Sequence, residues 1–137
     1  MNEMLKSADK GGGTIYEGSK PGGAYKVIKI TVPPMGEPVL ISNLQPEVFT
    51  PEASRKVLDL ASFFSWGFPG PGSRQLAIAL IYDATGSELD ALVYYPELFS
   101  RFVNTWGQEW SINSCHIRNF LELKKRHTLM NLGGLEA

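Results

Sequence analysis

The apolar and polar positions divide the chain into a β-patterned first third and a helical remainder. Thr14-Ile-Tyr-Glu-Gly18 and Tyr25-Lys-Val-Ile-Lys-Ile-Thr-Val32 are rich in β-branched and aromatic residues, and the turn-forming Ser19-Lys-Pro-Gly-Gly23 separates them. Within the second strand, Ile28, Ile30 and Val32 make the more apolar face and are expected to be the buried one. Pro33-Pro34-Met35-Gly36 then turns the chain into a third short strand, Pro38-Val-Leu-Ile-Ser42. Together these predict an N-terminal three-stranded antiparallel meander with one side covered.

From Leu44 to Thr50 the text reads as a connector. Thr50-Pro51-Glu52 opens a short helix to about Ala61, since Thr caps, Pro fits the first turn and Glu meets the positive end. Between Gly67 and Gly72 lie three glycines and two prolines, which force a tight bend. Straight after it, Arg74-Gln-Leu-Ala-Ile-Ala-Leu-Ile81 propagates a helix that Gly86 stops, with Ser73 as the candidate cap. Leu76, Ala77, Leu80, Ile81 and Ala84 share one face, and Ile78 and Tyr82 widen it over most of the circumference. A helix this apolar is expected to be central, over about 74–85. Ser87 with Asp90 caps a segment beginning near Glu88. Pro96 is expected to break it and start a new helix to Trp106, along which Leu98, Phe99, Phe102, Val103 and Trp106 form one face. Trp110-Ser-Ile112 reads as extended, and Asn113 caps a last helix to about residue 126. The fold expected is α+β: the meander packed on four to five helices around the 74–85 helix. Residues 1–13 are expected to be a flexible leader, 14–127 a single domain and 128–137 a flexible tail.

Trp66-Gly67-Phe68, Gly70, Gly72 and Gln75-Leu-Ala-Ile-Ala-Leu80 resemble the signature W-G-[YF]-x-G-x-G-x-x-Q-L-A-L-A of a small family of unknown function scattered through bacteria, archaea and phages. Trp110-Ser-Ile112, Ile117 and Phe120-Leu121 are similar to that family's closing segment. The resemblance covers roughly residues 14–123. It departs at Pro71 and Ser73, where Ser and Pro are usual, and at an apparent insertion around 45–62. It implies a fold and a mobile-element setting, not a reaction.

Composition narrows the function. With 137 residues, 43% of them hydrophobic and 20% charged, the chain can bury a core without metal or disulfide support. A net charge of −1 speaks against a protein that coats nucleic acid or an anionic membrane. One cysteine, Cys115, fits a reducing cytoplasm; neither a membrane span nor a signal peptide is read, so a cytoplasmic protein is expected.

Catalytic chemistry is thin, and the expectation is that the protein is not an enzyme. His116 and His127 lack companions at metal-ligand spacing, so no metal and no cofactor are expected. Cys115 and His116 point about 100° apart on a helix, which prevents the thiol–imidazole bond a nucleophile needs. Carboxylate neighbours such as Asp83/Glu88 and Glu97/Glu109 read as solvated. Fifteen aromatic residues, several in loops or beside prolines, favour a protein partner instead. The candidate anchor cluster is Phe63, Phe64, Trp66 and Phe68. The function expected is a binding protein, an accessory (anti-defence) product of a phage or mobile element acting by protein–protein interaction. An alternative is an anionic, nucleotide-like small molecule held at Gly70, Gly72, Ser73 and Arg74 at the helix start. A second is helix-turn-helix-like binding of DNA by the C-terminal helices with Arg118, Lys124, Lys125 and Arg126. That reading is disfavoured because the cations cluster at the helix end, where they complement the dipole.

Overall fold

The structure, a computed structural model, describes residues 13–33 and 44–136, with side chains to Leu129. The leader at 1–12 and the expected strand 38–42 lie outside the described residues. Among the described residues four strands form one antiparallel sheet: β1 (Gly13–Ser19), β2 (Lys26–Val32), β3 (Pro46–Val48) and β4 (Trp110–Asn113), in the order β3-β2-β1-β4. The β1–β2 turn is the one expected, closed by Gly22 and Gly23, both with positive φ (63° and 88°). β3 falls in the segment read as a connector. The extended piece at 110–112 joins the sheet as its fourth strand, so the meander is wider than three strands.

Among the described residues there are three α-helices, α1 (Pro71–Thr85), α2 (Glu88–Arg101) and α3 (Ser114–Glu136); α3 packs on β1 and β4, α1 is tied to the sheet through Asp83, and α2 packs on α1. α1 is the centre, as its all-round apolar sequence requires, with Leu76–Ile81 at most 2% exposed. It starts earlier than expected: Gly70 is the cap, Pro71 takes the first helical position and Ser73 lies inside the first turn. Gly86 ends it in the left-handed region (φ 71°) and Ser87 caps α2 by accepting from the Asp90 N–H, both as expected.

Pro96 does not break α2. The bond it forfeits is the one to the Leu92 carbonyl, and Leu92 lies on the exposed side of the helix, where water can satisfy that oxygen. The expected helices 88–95 and 96–106 are therefore one, followed by a single 3-10 turn at Val103–Thr105. The helix expected over 51–61 reduces to a 3-10 turn, Ala53–Lys56. Asn113 caps α3 through its carbonyl (2.7 Å to the His116 N–H), and the helix runs on to Glu136, beyond the expected end near 126.

The buried sheet face is the reverse of the one expected. Register pairs Gly18 with Val27 and Trp110, and Tyr16 with Lys29 and Ile112; these face the helices, with Tyr16 fully buried and Val27 3% exposed. Ile28, Ile30 and Val32 are half-buried on the opposite face. Lys29 can take the inner face because it has a partner there. Asp83 on α1 accepts from its ammonium (2.9 Å) and from the Tyr16 hydroxyl (2.6 Å). Asp83 therefore clamps sheet to helix while remaining open to solvent on one side.

Candidate partner-binding groove

The bend before α1 uses its glycines for close approach. Gly67 has φ 85°, donates its N–H to the Val103 carbonyl (2.9 Å) and would place a β-carbon 2.7 Å from the Trp106 carbonyl oxygen. The Phe68 ring lies over Gly70, where a β-carbon would stand 2.9 Å from it, and the Phe63 ring lies over Gly72 at 2.6 Å. Between them the Ser65 and Ser73 hydroxyls bond each other at 3.1 Å, both buried. Two aromatic rings thus rest on bare backbone at the start of the central helix.

The four rings read as one anchor cluster separate into two pairs. Trp66 is fully buried and donates its indole N–H to the Gly107 carbonyl (2.7 Å); Phe64 is 8% exposed and packs on Phe49, ring centroids 5.5 Å apart. Both belong to the core, Phe64 with one edge at the surface. Phe63 and Phe68 remain 54% and 46% exposed.

Phe63 lines a groove of about 370 Å³ whose other walls include Tyr25, Val27, Val48, Phe49 and Phe64. Val48 is 69% exposed and Tyr25 is also at the surface. Sequence reasoning missed both: Tyr25 reads as the opening of a strand, and Val48 lies in the supposed connector. The signal available was Phe49, a ring beside a Thr-Pro turn. The Lys20 ammonium stands 4.6 Å over the Tyr25 ring and 5.7 Å over Trp66, so the rim of the groove carries a cation on aromatic faces.

The other candidate sites come out differently. At the glycine turn, Gly72 and Ser73 are buried beneath Phe63 and Ser65, Pro71 has no N–H, and the Arg74 guanidinium lies 4.4 Å over the Phe99 ring. Gly70, Gly72, Ser73 and Arg74 are adjacent, but the cradle an anion would need is filled by side chains. The basic residues do not form a patch. Arg118 donates to the Ala84 carbonyl (3.3 Å), Lys124 pairs with Glu97 (2.6 Å) and Lys125 with Asp90 (2.9 Å), leaving Arg126 exposed. The Asp90 hydrogen bond holds the Lys125 pKa above its usual value. Nor do α2 and α3 make a helix-turn-helix, because the Val103–Thr105 turn and strand β4 separate them.

Cys115 is buried (5% exposed) while His116 is exposed, as their spacing required. Among the described residues no group of three His, Cys, Asp or Glu could hold a metal. Burial, and then the Asp83 hydrogen bond, push the Tyr16 phenol far above its ordinary range. It is a donor locked to a carboxylate, not a proton acceptor. A depression of about 500 Å³ opens on the other sheet face among Glu17, Ser19, Lys26, Glu109 and Ser111, and its charged residues are exposed.

The fold defines a small α+β domain with, among the described residues, one four-stranded antiparallel sheet and three α-helices. The chain belongs to a family of unknown function, DUF6166, which it matches over residues 34–123. No curated protein and no solved structure matches it. Among the described residues no helix is long and apolar enough to cross a membrane.

Proposed function

We propose that this is a non-enzymatic binding protein that engages a protein partner through the groove around Phe63. One observation carries this reading: a phenylalanine more than half exposed, held on Gly72, forms one wall of an apolar groove with Tyr25 and Val48. A large ring left in water at a fixed position is the kind of residue that dominates binding energy when a partner covers it. Phe68 extends the surface along the same turn. The mobile-element setting implied by the sequence resemblance supports an accessory role, in which the protein occupies a host protein.

The test is Phe63→Ala together with Phe68→Ala in the full chain. Thermal unfolding should stay within a few degrees of the parent, because both rings are at the surface. Association with a partner co-purified from the native host should fall to background for Phe63→Ala. Association unchanged in both variants retires the proposal.

A further inference from the structure

Helix α2 is apolar on two sides. One side, with Ala91, Leu98 and Phe99, is buried in the core. The other carries Leu89, Leu92, Val93 and Pro96, at i, i+3, i+4 and i+7, the spacing of a helix packed along a seam. These four stand in water: Leu89 is 69% exposed, Leu92 47% and Val93 53%, and Pro96 is also at the surface. A contiguous apolar stripe on an otherwise well-buried helix is a contact surface.

The pattern of the stripe fits a second copy of itself. Its intervals of three, one and three residues read the same from either end, so another α2 laid antiparallel sets Leu89 against Pro96 of the second copy and Leu92 against its Val93. The flanks are charged in the same two-fold sense. Glu88 and Phe99 lie about three turns apart and share one flank. The Arg74 guanidinium rests 4.4 Å over the Phe99 ring, so this flank opens on a carboxylate and closes on a cation. Neither Glu88 nor Arg74 enters an ion pair among the described residues. On the opposite flank Asp90 is paired with Lys125 and Glu97 with Lys124, which leaves both of its ends neutral. Antiparallel copies bring like flanks together with their ends reversed, and Glu88 of each copy then meets Arg74 of the other.

We infer that two copies of the chain pair through α2, antiparallel about a two-fold axis between Leu92 and Val93, with Glu88–Arg74 contacts at both ends. The contact uses none of the groove residues and stands independently of the reading above. Four apolar side chains from each copy cover less than the roughly 800 Å² per partner of a standard interface, and the Leu92 carbonyl released by Pro96 still needs water, so the pairing is weak, with a Kd on the order of tens of micromolar.

Sedimentation equilibrium of the full chain, from about 5 to 500 μM, should show a reversible monomer–dimer equilibrium. Leu92→Glu puts a charge at the centre of the stripe and should leave the chain monomeric over that range, with its melting temperature unchanged because the residue is at the surface. Glu88→Arg should weaken pairing about fivefold, and Glu88→Arg combined with Arg74→Glu should return it to within about twofold of the parent. Phe63→Ala, at the groove, should leave the equilibrium as it is. A parent that stays monomeric at the highest concentration, or a dimer that survives Leu92→Glu, overturns the inference. A dimer abolished by Phe63→Ala does so as well, because the copies would then meet at the groove. Pairing that Leu92→Glu removes and the charge exchange fails to recover overturns the antiparallel arrangement.

Discussion

Gln75 donates from Nε2 to the Ser54 hydroxyl at 2.8 Å, and this bond is part of a buried network. Its Oε1 accepts the N–H groups of Leu60 (2.7 Å) and Ala61 (3.1 Å), and Ser54 passes its own proton to the Pro51 carbonyl (2.7 Å). A fully buried amide is tolerated because both its oxygen and its nitrogen are hydrogen-bonded, and those bonds fix the irregular 51–61 segment against the central helix. Gln75→Leu keeps the volume but strands the N–H groups of Leu60 and Ala61 and removes the donor to the Ser54 hydroxyl. It should lower stability by about 3 kcal/mol, read as a fall in the urea midpoint with little change in slope.

Gly18 sits directly beneath the Trp110 indole, and a β-carbon there would fall inside the ring. Gly18→Ala should cost about 2 kcal/mol, since Trp110 is held by Trp106 on one side and Trp66 on the other and cannot slide away. Combined with Trp110→Ala, which empties the space, the same substitution should cost far less. A double-mutant cycle that comes out additive would contradict this packing.

Two glycines with positive φ should differ in how they tolerate alanine. Gly86 has nothing near its missing β-carbon, so Gly86→Ala bears only backbone strain, about 1 kcal/mol. Gly67→Ala adds a collision with the Trp106 carbonyl and should be the more damaging of the two by calorimetry.

The Tyr16 phenol holds its proton more tightly in the folded protein than in the unfolded chain, where its value is 10.0. The stability it contributes is therefore full below about pH 10 and declines above it, as the unfolded chain ionises first. Denaturation midpoints should drop on the alkaline side, and Tyr16→Phe should flatten that drop. The same change should cost about 2 kcal/mol at neutral pH by removing the donor to Asp83.

The sequence showed the central helix clearly, because an apolar circumference has only one place to go, and it located the caps at Ser87 and Asn113 and the stop at Gly86. It misread β2 because a lysine on the buried face is legible only once Asp83 is seen opposite it, across 54 residues of chain. Continuity through Pro96 was equally hidden, since it depends on Leu92 facing water. Of the candidate anchors, hydrophobicity could not distinguish Phe63 from Phe64. Adjacent positions face apart, and which faces outward is set by the Gly72 backbone on which Phe63 rests. Tyr25 and Val48 join Phe63 only through the β2–β3 register, which no local pattern encodes.

All three tryptophans of the chain stand together, Trp106 stacked on Trp110 at 4.1 Å and Trp110 edge-on to Trp66 at 5.5 Å. Intrinsic fluorescence is consequently a local gauge of the place where β1, β4 and the turn before α1 meet, whereas far-ultraviolet dichroism is weighted toward the three helices. If that corner opens ahead of the rest, the optical transition will precede the helical one, and coincidence of the two curves will mark a single cooperative unit.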